Sequence, residues 1–279
     1  MKYDFRKIAG WFLFILAVGF FGLQMGYLFA HARYHAEYVD NRLFYVINML
    51  CIICAGAAIL LLVKSSRKWK FVGAVMVILF VAVQSVLLTE SDKQIKNISS
   101  ISPDFQHVLS MKEKNGETVY FRTYYKILAL PKEKLPDETT GKFKVQWLAN
   151  DVAAITYQTI DDKVQQFIGT YGDRGEGVSY YYVGAEIHGQ WKGKDAAVLS
   201  DEEGITVSWH GQTELFKWEQ VQQYGTLAVV LHRNHEAAWT IALNDNFEIH
   251  SNAAKTPAGE ITLYPADIDG GQAPVMLKQ

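Results

Sequence analysis

Cysteine is nearly absent from this sequence: 279 residues carry only Cys51 and Cys54, both inside one long apolar run. The chain beyond that run has no thiol for a disulfide framework, so its stability must come from a packed core. That economy fits exported proteins of Gram-positive-type bacteria better than small secreted eukaryotic domains. An excess of one charge is lacking too. A formal net charge of -2 excludes the strongly basic balance of a nucleic-acid binder, and 49% hydrophobic content excludes a disordered chain. No complete catalytic signature is present. There is no phosphate-binding P-loop and no G-x-G-x-x-G fingerprint, and no serine or cysteine motif accompanies the scattered His188, His210, His232, His235 and His250 as a triad requires. The expectation is a protein that is not an enzyme and uses no cofactor.

Residues 1–89 are almost wholly apolar, with charge only at the seams, whereas residues 90–279 have mixed polarity and enough length to bury a core of their own. Three uncharged runs, residues 8–30, 43–63 and 71–88, meet the requirement of about 20 residues for a helix to cross the hydrocarbon. Lysine and arginine set the direction. Lys2, Arg6 and Lys7 precede the first run, and Lys64, Arg67, Lys68 and Lys70 crowd the short loop KSSRKWK. The first outer loop has only Arg33 and Arg42, and the segment after the third run has Lys93 and Lys96. Cations near span ends stay on the cytoplasmic side. The amino terminus is therefore predicted inside, and the long carboxy-terminal part outside, a bacterial cell membrane. Ala30-His31-Ala32 has the small-x-small form of a signal-peptide cleavage site, but the apolar run before it exceeds the roughly 7–15 residues of such signals. Either reading leaves the first loop outside.

Within the runs, Gly19, Gly22 and Gly26 form a small-residue stripe suited to helix packing, and Gln24, Asn48 and Gln84 require partners inside a bundle. No acid or base lies in mid-span, so a proton or ion relay lacks its carriers. Cys51 and Cys54 have the spacing of a metal or redox pair, yet without a second pair or a nearby histidine they read as packing residues. In the first outer loop, HARYHAEYVDNR, His31 and His35 stand four apart. On a helix continuing past the membrane they would share a face, as metal ligands do. The alternative is an interfacial belt with Tyr34, Tyr38 and Tyr45.

From residue 107 the chain changes to short runs rich in β-branched and aromatic residues. Strands are predicted at residues 107–112, 118–130, 143–147, 152–159, 164–171, 178–183, 205–210, 213–217, 227–233, 238–243 and 260–264. Asn115-Gly116 supplies a tight hairpin and Asp161-Asp162 a second turn. Residues 131–141 read as a solvated loop and residues 218–224 as a short helix. Trp218 is predicted to face inward with Val221 and to close the sheet formed by residues 227–232 and 238–243.

Two local resemblances arise. Ile101-Ser102-Pro103-Asp104 followed by a strand resembles the opening of a blade in bacterial β-propeller repeats, and residues 143–157, FKVQWLANDVAAITY, are similar to the next strand pair. Phe216 to Val221, FKWEQV, resembles the Trp-Glu-x-Val element of bacterial pleckstrin-homology-like modules. That second resemblance implies binding of a partner or lipid rather than catalysis.

The most unusual local sequence is GTYGDRGEGVSYYY at residues 169–182. Its glycines permit close backbone approach, so Tyr171, Asp173, Arg174, Glu176, Tyr180 and Tyr182 are the candidate ligand-binding residues for a phosphate or sugar. The competing reading is a structural loop with an internal Asp-Arg pair. Asp267-x-Asp269-Gly270-Gly271 has part of a calcium-loop pattern without its closing glutamate, and reads as a turn. Trp191, Trp209, Trp218 and Trp239 are either a sugar-binding face or core anchors.

The fold class that follows is a membrane α region plus an all-β part: three transmembrane helices, then a mostly antiparallel extracytoplasmic β domain with one short helix. Its divisions are residues 1–89, a linker at 90–106, and β subdomains at 107–195 and 196–279. The expected function is an extracytoplasmic binding or sensing domain on a multi-pass anchor. Its partners would be the lipid bilayer and a membrane-protein or cell-wall partner, with no nucleic acid. The alternative is a structural or accessory subunit of an envelope or export complex.

Overall fold

Each apolar run is a helix: α1 (Phe5–Tyr34), α2 (Arg42–Leu62) and α3 (Arg67–Gln94), all long and apolar enough to cross a membrane. The computed structural model describes residues 5–174, 180–249 and 258–279. At 1.5 Å per residue, the 28 residues of α3 span about 42 Å, longer than the roughly 30 Å a helix needs to cross a hydrocarbon layer, and its last residues, TESDKQ, are polar.

The α1–α2 pair is an antiparallel hairpin zipped by small and polar residues. At one end the Arg6 guanidinium donates to the carbonyls of Leu60 (3.1 Å) and Leu61 (3.2 Å), capping orphan acceptors of the last turn of α2. Gly10 leaves room for Leu62, whose side chain would lie 2.7 Å from a Cβ there. Further along, Cys51 Sγ lies 3.5 Å from the Ala17 carbonyl, and Ala17, Cys54 and Ala58 are buried. At the far end Tyr27 meets Phe44 with ring centroids 5.8 Å apart. Both cysteines are free thiols among packed side chains. Gly19, Gly22 and Gly26 are on another face of α1: all three are exposed, with no atom of the chain within 4 Å of where a Cβ would stand. The close approaches expected of that stripe are made instead by Gly10 in α1 and by Gly56 in α2, against Val77 of α3.

The connection between α1 and α2 does not continue the helix. α1 stops at Tyr34, and His35 takes a left-handed φ of 55°, which turns the chain out of the helix. His31 stacks on Tyr27 and its Nδ1 lies 2.9 Å from the Ala36 carbonyl. No group of three potential metal ligands occurs among the described residues. The chain then forms a short strand, β1 (Glu37–Tyr38), which joins a five-stranded sheet with β2 (Lys96–Ile101), β3 (Val108–Lys114), β4 (Glu117–Tyr124) and β5 (Leu128–Lys134), in the order β1-β5-β4-β3-β2. The stretch predicted to be a linker at 90–106 thus holds a strand, and the predicted solvated loop at 131–141 is largely strand. Asn115 (φ 55°) and Gly116 (φ 84°) make the predicted tight turn. The single strand predicted at 118–130 is broken by Tyr125 and Lys126, both at positive φ.

Two compact units result, and the division does not fall at residue 195. The first comprises Met1–Ser99, Ser110–Asn115 and Val119–Lys134, so it holds the helices with most of the five-stranded sheet. The second comprises Ser100–Leu109, Gly116–Thr118 and Leu135–Gln279.

In the second unit, β6 (Thr139–Ala149), β7 (Val152–Thr159) and β8 (Val164–Thr170) form a three-stranded antiparallel sheet. A nine-stranded sheet is built from β9 (Gly189–Lys192), β10 (Ala196–Ser200), β11 (Gly204–Trp209), β12 (Gln212–Lys217), β13 (Val221–Tyr224), β14 (Ala228–Arg233), β15 (Glu236–Leu243), β16 (Glu260–Pro265) and β17 (Val275–Lys278), ordered β12-β11-β10-β9-β17-β16-β15-β14-β13. It is barrel-like: Trp191, Val198, Ile205, Phe216, Leu231, Ile241, Leu263 and Leu277, from strands along the whole order, share one core. Toward one end of that order, β14 and β16 are buried on both faces. In β14, Val229 and Leu231 point into that core, while Ala228 and Val230 pack with Ala154 and Ile168 of the small sheet.

The helix predicted at 218–224 is a three-residue 3-10 turn, Trp218–Gln220, followed by β13. Its β-branched Val221 and three glutamines across the stretch serve a sheet edge as well as a helix. Trp218 is 40% exposed and lies over Gly184, with Nε1 donating to the Glu202 carbonyl (3.1 Å). The inward tryptophan is Trp191, fully buried, stacked on Phe247 and donating to the Ile187 carbonyl (2.8 Å). Residues 178–183 were predicted as a strand; of the described ones, Val183 opens a single helical turn, α4 (Val183–Glu186).

Candidate functional site

The glycine-rich loop is held by an ion pair that its own sequence does not contain. Arg174 ignores the adjacent Asp173 and forks onto Asp151, at the turn between β6 and β7, with NH1–Oδ2 at 2.5 Å and NH2–Oδ1 at 2.7 Å. The same guanidinium donates to the carbonyls of Asn244 (2.7 Å) and Leu243 (3.2 Å) and reaches Asp245 (3.3 Å). Its side chain is 8% exposed and the Asp151 carboxylate raises its pKa against the opposing cost of burial. With its donors engaged inside the fold, Arg174 is a strut joining three loops rather than a free anion anchor. Gly172 is required beside it, since a Cβ there would fall 2.0 Å from the Asp151 carboxylate.

The other predicted residues separate. The Tyr181 hydroxyl, absent from the predicted set, donates to Asp173 (3.0 Å) and accepts from the Arg174 amide (3.1 Å). Tyr171 turns away, its ring against His107 (5.1 Å) and Trp147 (5.8 Å), with its hydroxyl donating to the Val108 carbonyl (3.3 Å). Tyr180 and Tyr182 are exposed and meet edge to face at 5.5 Å. Gln223 fastens this return, donating to the Tyr181 carbonyl (2.8 Å) and accepting from the Val183 amide (3.0 Å). Glu176 lies outside the described residues, as does His250.

Beside the strut lies a cleft of about 340 Å³ lined by Pro103, Trp147, Asn150, Asn244, Asp245, Asn246, Glu260 and Met276 among others. Trp147 forms an aromatic wall, its Nε1 bonded to Ser100 Oγ (2.9 Å). Asn150 donates to Asp245 (2.6 Å), and Asn246 Oδ1 accepts from the Glu260 amide (3.2 Å). A hydrogen bond from Lys278 (2.7 Å) holds the Glu260 carboxyl below its ordinary range. On the floor, Asn244 accepts from buried Thr262 (2.6 Å). The described lining residues include no histidine, serine or cysteine. The chemistry on offer is hydrogen bonding by amides and carboxylates beside an aromatic face, which suits recognition of hydroxyl groups.

Sequence reasoning missed this cleft because its polar residues sit in two turns, Asn150-Asp151 and Asn244-Asp245-Asn246, each of which reads locally as turn chemistry. Sheet order brings the two turns side by side, joined by the Asn150–Asp245 hydrogen bond and by Arg174 on Asp151 and Asp245. The tryptophans do not share one face: Trp191 is core, Trp209 and Trp239 pack on each other at 5.0 Å, and Trp218 stands apart on its turn. The Asp267 segment is a turn whose Asp267 Oδ1 accepts from the amides of Asp269 (3.0 Å) and Gly270 (2.7 Å), closed by Lys144 on the Asp267 carbonyl (2.9 Å).

No protein-family model matches the chain, and comparison with curated proteins and with solved structures finds no match.

Proposed function

We propose that the chain is a multi-pass protein of a bacterial cell membrane, with its amino terminus and the KSSRKWK loop in the cytoplasm. In this reading the β structure lies outside, where the second unit binds a hydroxyl-rich ligand such as a cell-wall glycan. The cleft of Trp147, Asn150, Asp245, Asn246 and Glu260 carries the reading, because it sets an aromatic wall beside amide and carboxylate groups that can hydrogen-bond the hydroxyls of a ligand. The lysine and arginine asymmetry supports the orientation. The protein acts by binding, not turnover.

The test is sedimentation of the full-length protein, in mild detergent, with insoluble peptidoglycan. The wild type is expected in the pellet, and Trp147→Ala should weaken retention about tenfold, the loss of roughly 1.4 kcal/mol at an aromatic anchor. A wild type that stays in the supernatant contradicts the proposal, as does Trp147→Ala bound as tightly as wild type. The exposed Gly19, Gly22 and Gly26 face favours a second reading, a structural subunit of an envelope complex docked through α1. Stoichiometric co-purification of another membrane protein, lost in Gly22→Leu, would support that instead.

A further inference from the structure

An apolar groove of about 570 Å³ runs between α2 and α3, and it has a charged mouth. Gly56 lets Val77 seat against α2, so the two helices touch there. Toward the connecting loop, Gly73 and Ala74 are too small to fill the space between them, and a Cβ on Gly73 would meet nothing within 4 Å. The groove ends at Ser65, Trp69 and Lys70, with Lys70 half-buried in its lining. Lys64, Arg67 and Lys68 complete the mouth, and among the described residues none of these four cations enters a salt bridge with this chain. No acid occurs between Lys64 and Lys70 to balance them.

From this geometry we infer that the groove is a binding site for one anionic phospholipid, with an acyl chain along Gly73 and Ala74 and the headgroup phosphate on Lys70 and its neighbours. A fatty chain matches the long apolar wall, which offers no hydrogen-bonding partner along its length. The four cations at one end, in no salt bridge among the described residues, then favour a negative headgroup there, and an indole at Trp69 belongs at that depth, where the chain meets water. A neutral lipid would leave the cations without a counter-charge, and a polar soluble ligand would leave the apolar wall unfilled. The inference rests on the helices spanning a membrane. It does not depend on which leaflet holds the loop.

Native mass spectrometry of the full-length protein, with phosphatidylglycerol or phosphatidylcholine of identical acyl chains added, tests it. The wild type is expected to retain phosphatidylglycerol in preference to phosphatidylcholine. Lys70→Gln should lower that preference about fivefold, the share of one cation near an anionic lipid surface. Gly73→Phe, whose ring occupies the groove, should lose both lipids, while Gly19→Phe, equally open but on α1, should bind as wild type. Lys70→Gln removes the charge but keeps an unbranched, helix-compatible side chain, so it decides the matter even where Gly73→Phe does not fold. Equal retention of the two lipids by the wild type would overturn the site. So would phosphatidylglycerol still held by a folded Gly73→Phe variant, or a dimer mass in place of lipid adducts, which would mean a second copy occupies the groove. Failure of the membrane reading itself shows differently, as a chain that alkaline carbonate washes off membranes.

Discussion

Arg174 shows how a residue can be noticed in a sequence and still be misread. Its place in a glycine-rich loop beside Asp173 suggests an anion site, yet its guanidinium is committed to Asp151, Asp245 and two carbonyls, and the partner lies 23 residues back. Removing one member of a buried ion pair costs about 3–5 kcal/mol because the other charge is stranded. Arg174→Ala should therefore lower the melting temperature strongly, and Arg174→Ala with Asp151→Ala should recover part of the loss. Additive effects in the double variant would show that the two are not coupled. His232 offers a second check. Burial pulls its imidazole below the ordinary 6.5, so the folded chain binds this proton less readily than the unfolded one. Its contribution is complete above about pH 6.5 and is lost as the pH falls through that value. Thermal stability should decline from about pH 7 to about pH 5, and less so in His232→Gln; an identical decline in both would remove His232 as its cause.

Among the elements, the helices were legible because length and uniform apolarity decide them, whatever they pack on. Strand β1 was not, since two residues in a histidine-rich loop carry no period. It becomes a strand only by pairing Glu37 with Ala129 and Tyr38 with Leu128. Three further bonds fix this connection within the first unit: Lys112 to Glu37, Ser110 to the Val39 carbonyl (2.8 Å), and Tyr38 to Gln24 (3.2 Å). Burial pushes the Lys112 ammonium down while Glu37 pulls it back up. Glu37→Gln removes the counter-charge and should destabilise by about 1–3 kcal/mol, whereas Lys112→Met should be close to neutral, because Glu37 is exposed enough to rehydrate. Equal losses from the two would contradict this asymmetry. The turn at Tyr125-Lys126 was equally hidden, because bulky residues at positive φ give no warning of the kind that Asn115-Gly116 gives.

At the scale of the whole molecule, the order of helices followed by antiparallel β structure could be read from the change in composition near residue 90. The division into units could not. It depends on where the strands of the five-stranded sheet lie, most of them with the helices, and on β14 and β15 serving two cores at once. The cleft was illegible for the same reason, since residues 147–150, 244–246 and 260 meet only through sheet order. The account as a whole depends on which side of the membrane that β structure occupies. In a chain whose Cys51 and Cys54 are replaced by alanine, one cysteine is introduced by Glu203→Cys or by Ser66→Cys, both at exposed positions. A thiol reagent that cannot cross membranes, applied to intact cells, should label the Glu203→Cys variant at once and the Ser66→Cys variant only after the cells are permeabilised. Labelling of Ser66→Cys in intact cells, with Glu203→Cys protected, would contradict the account.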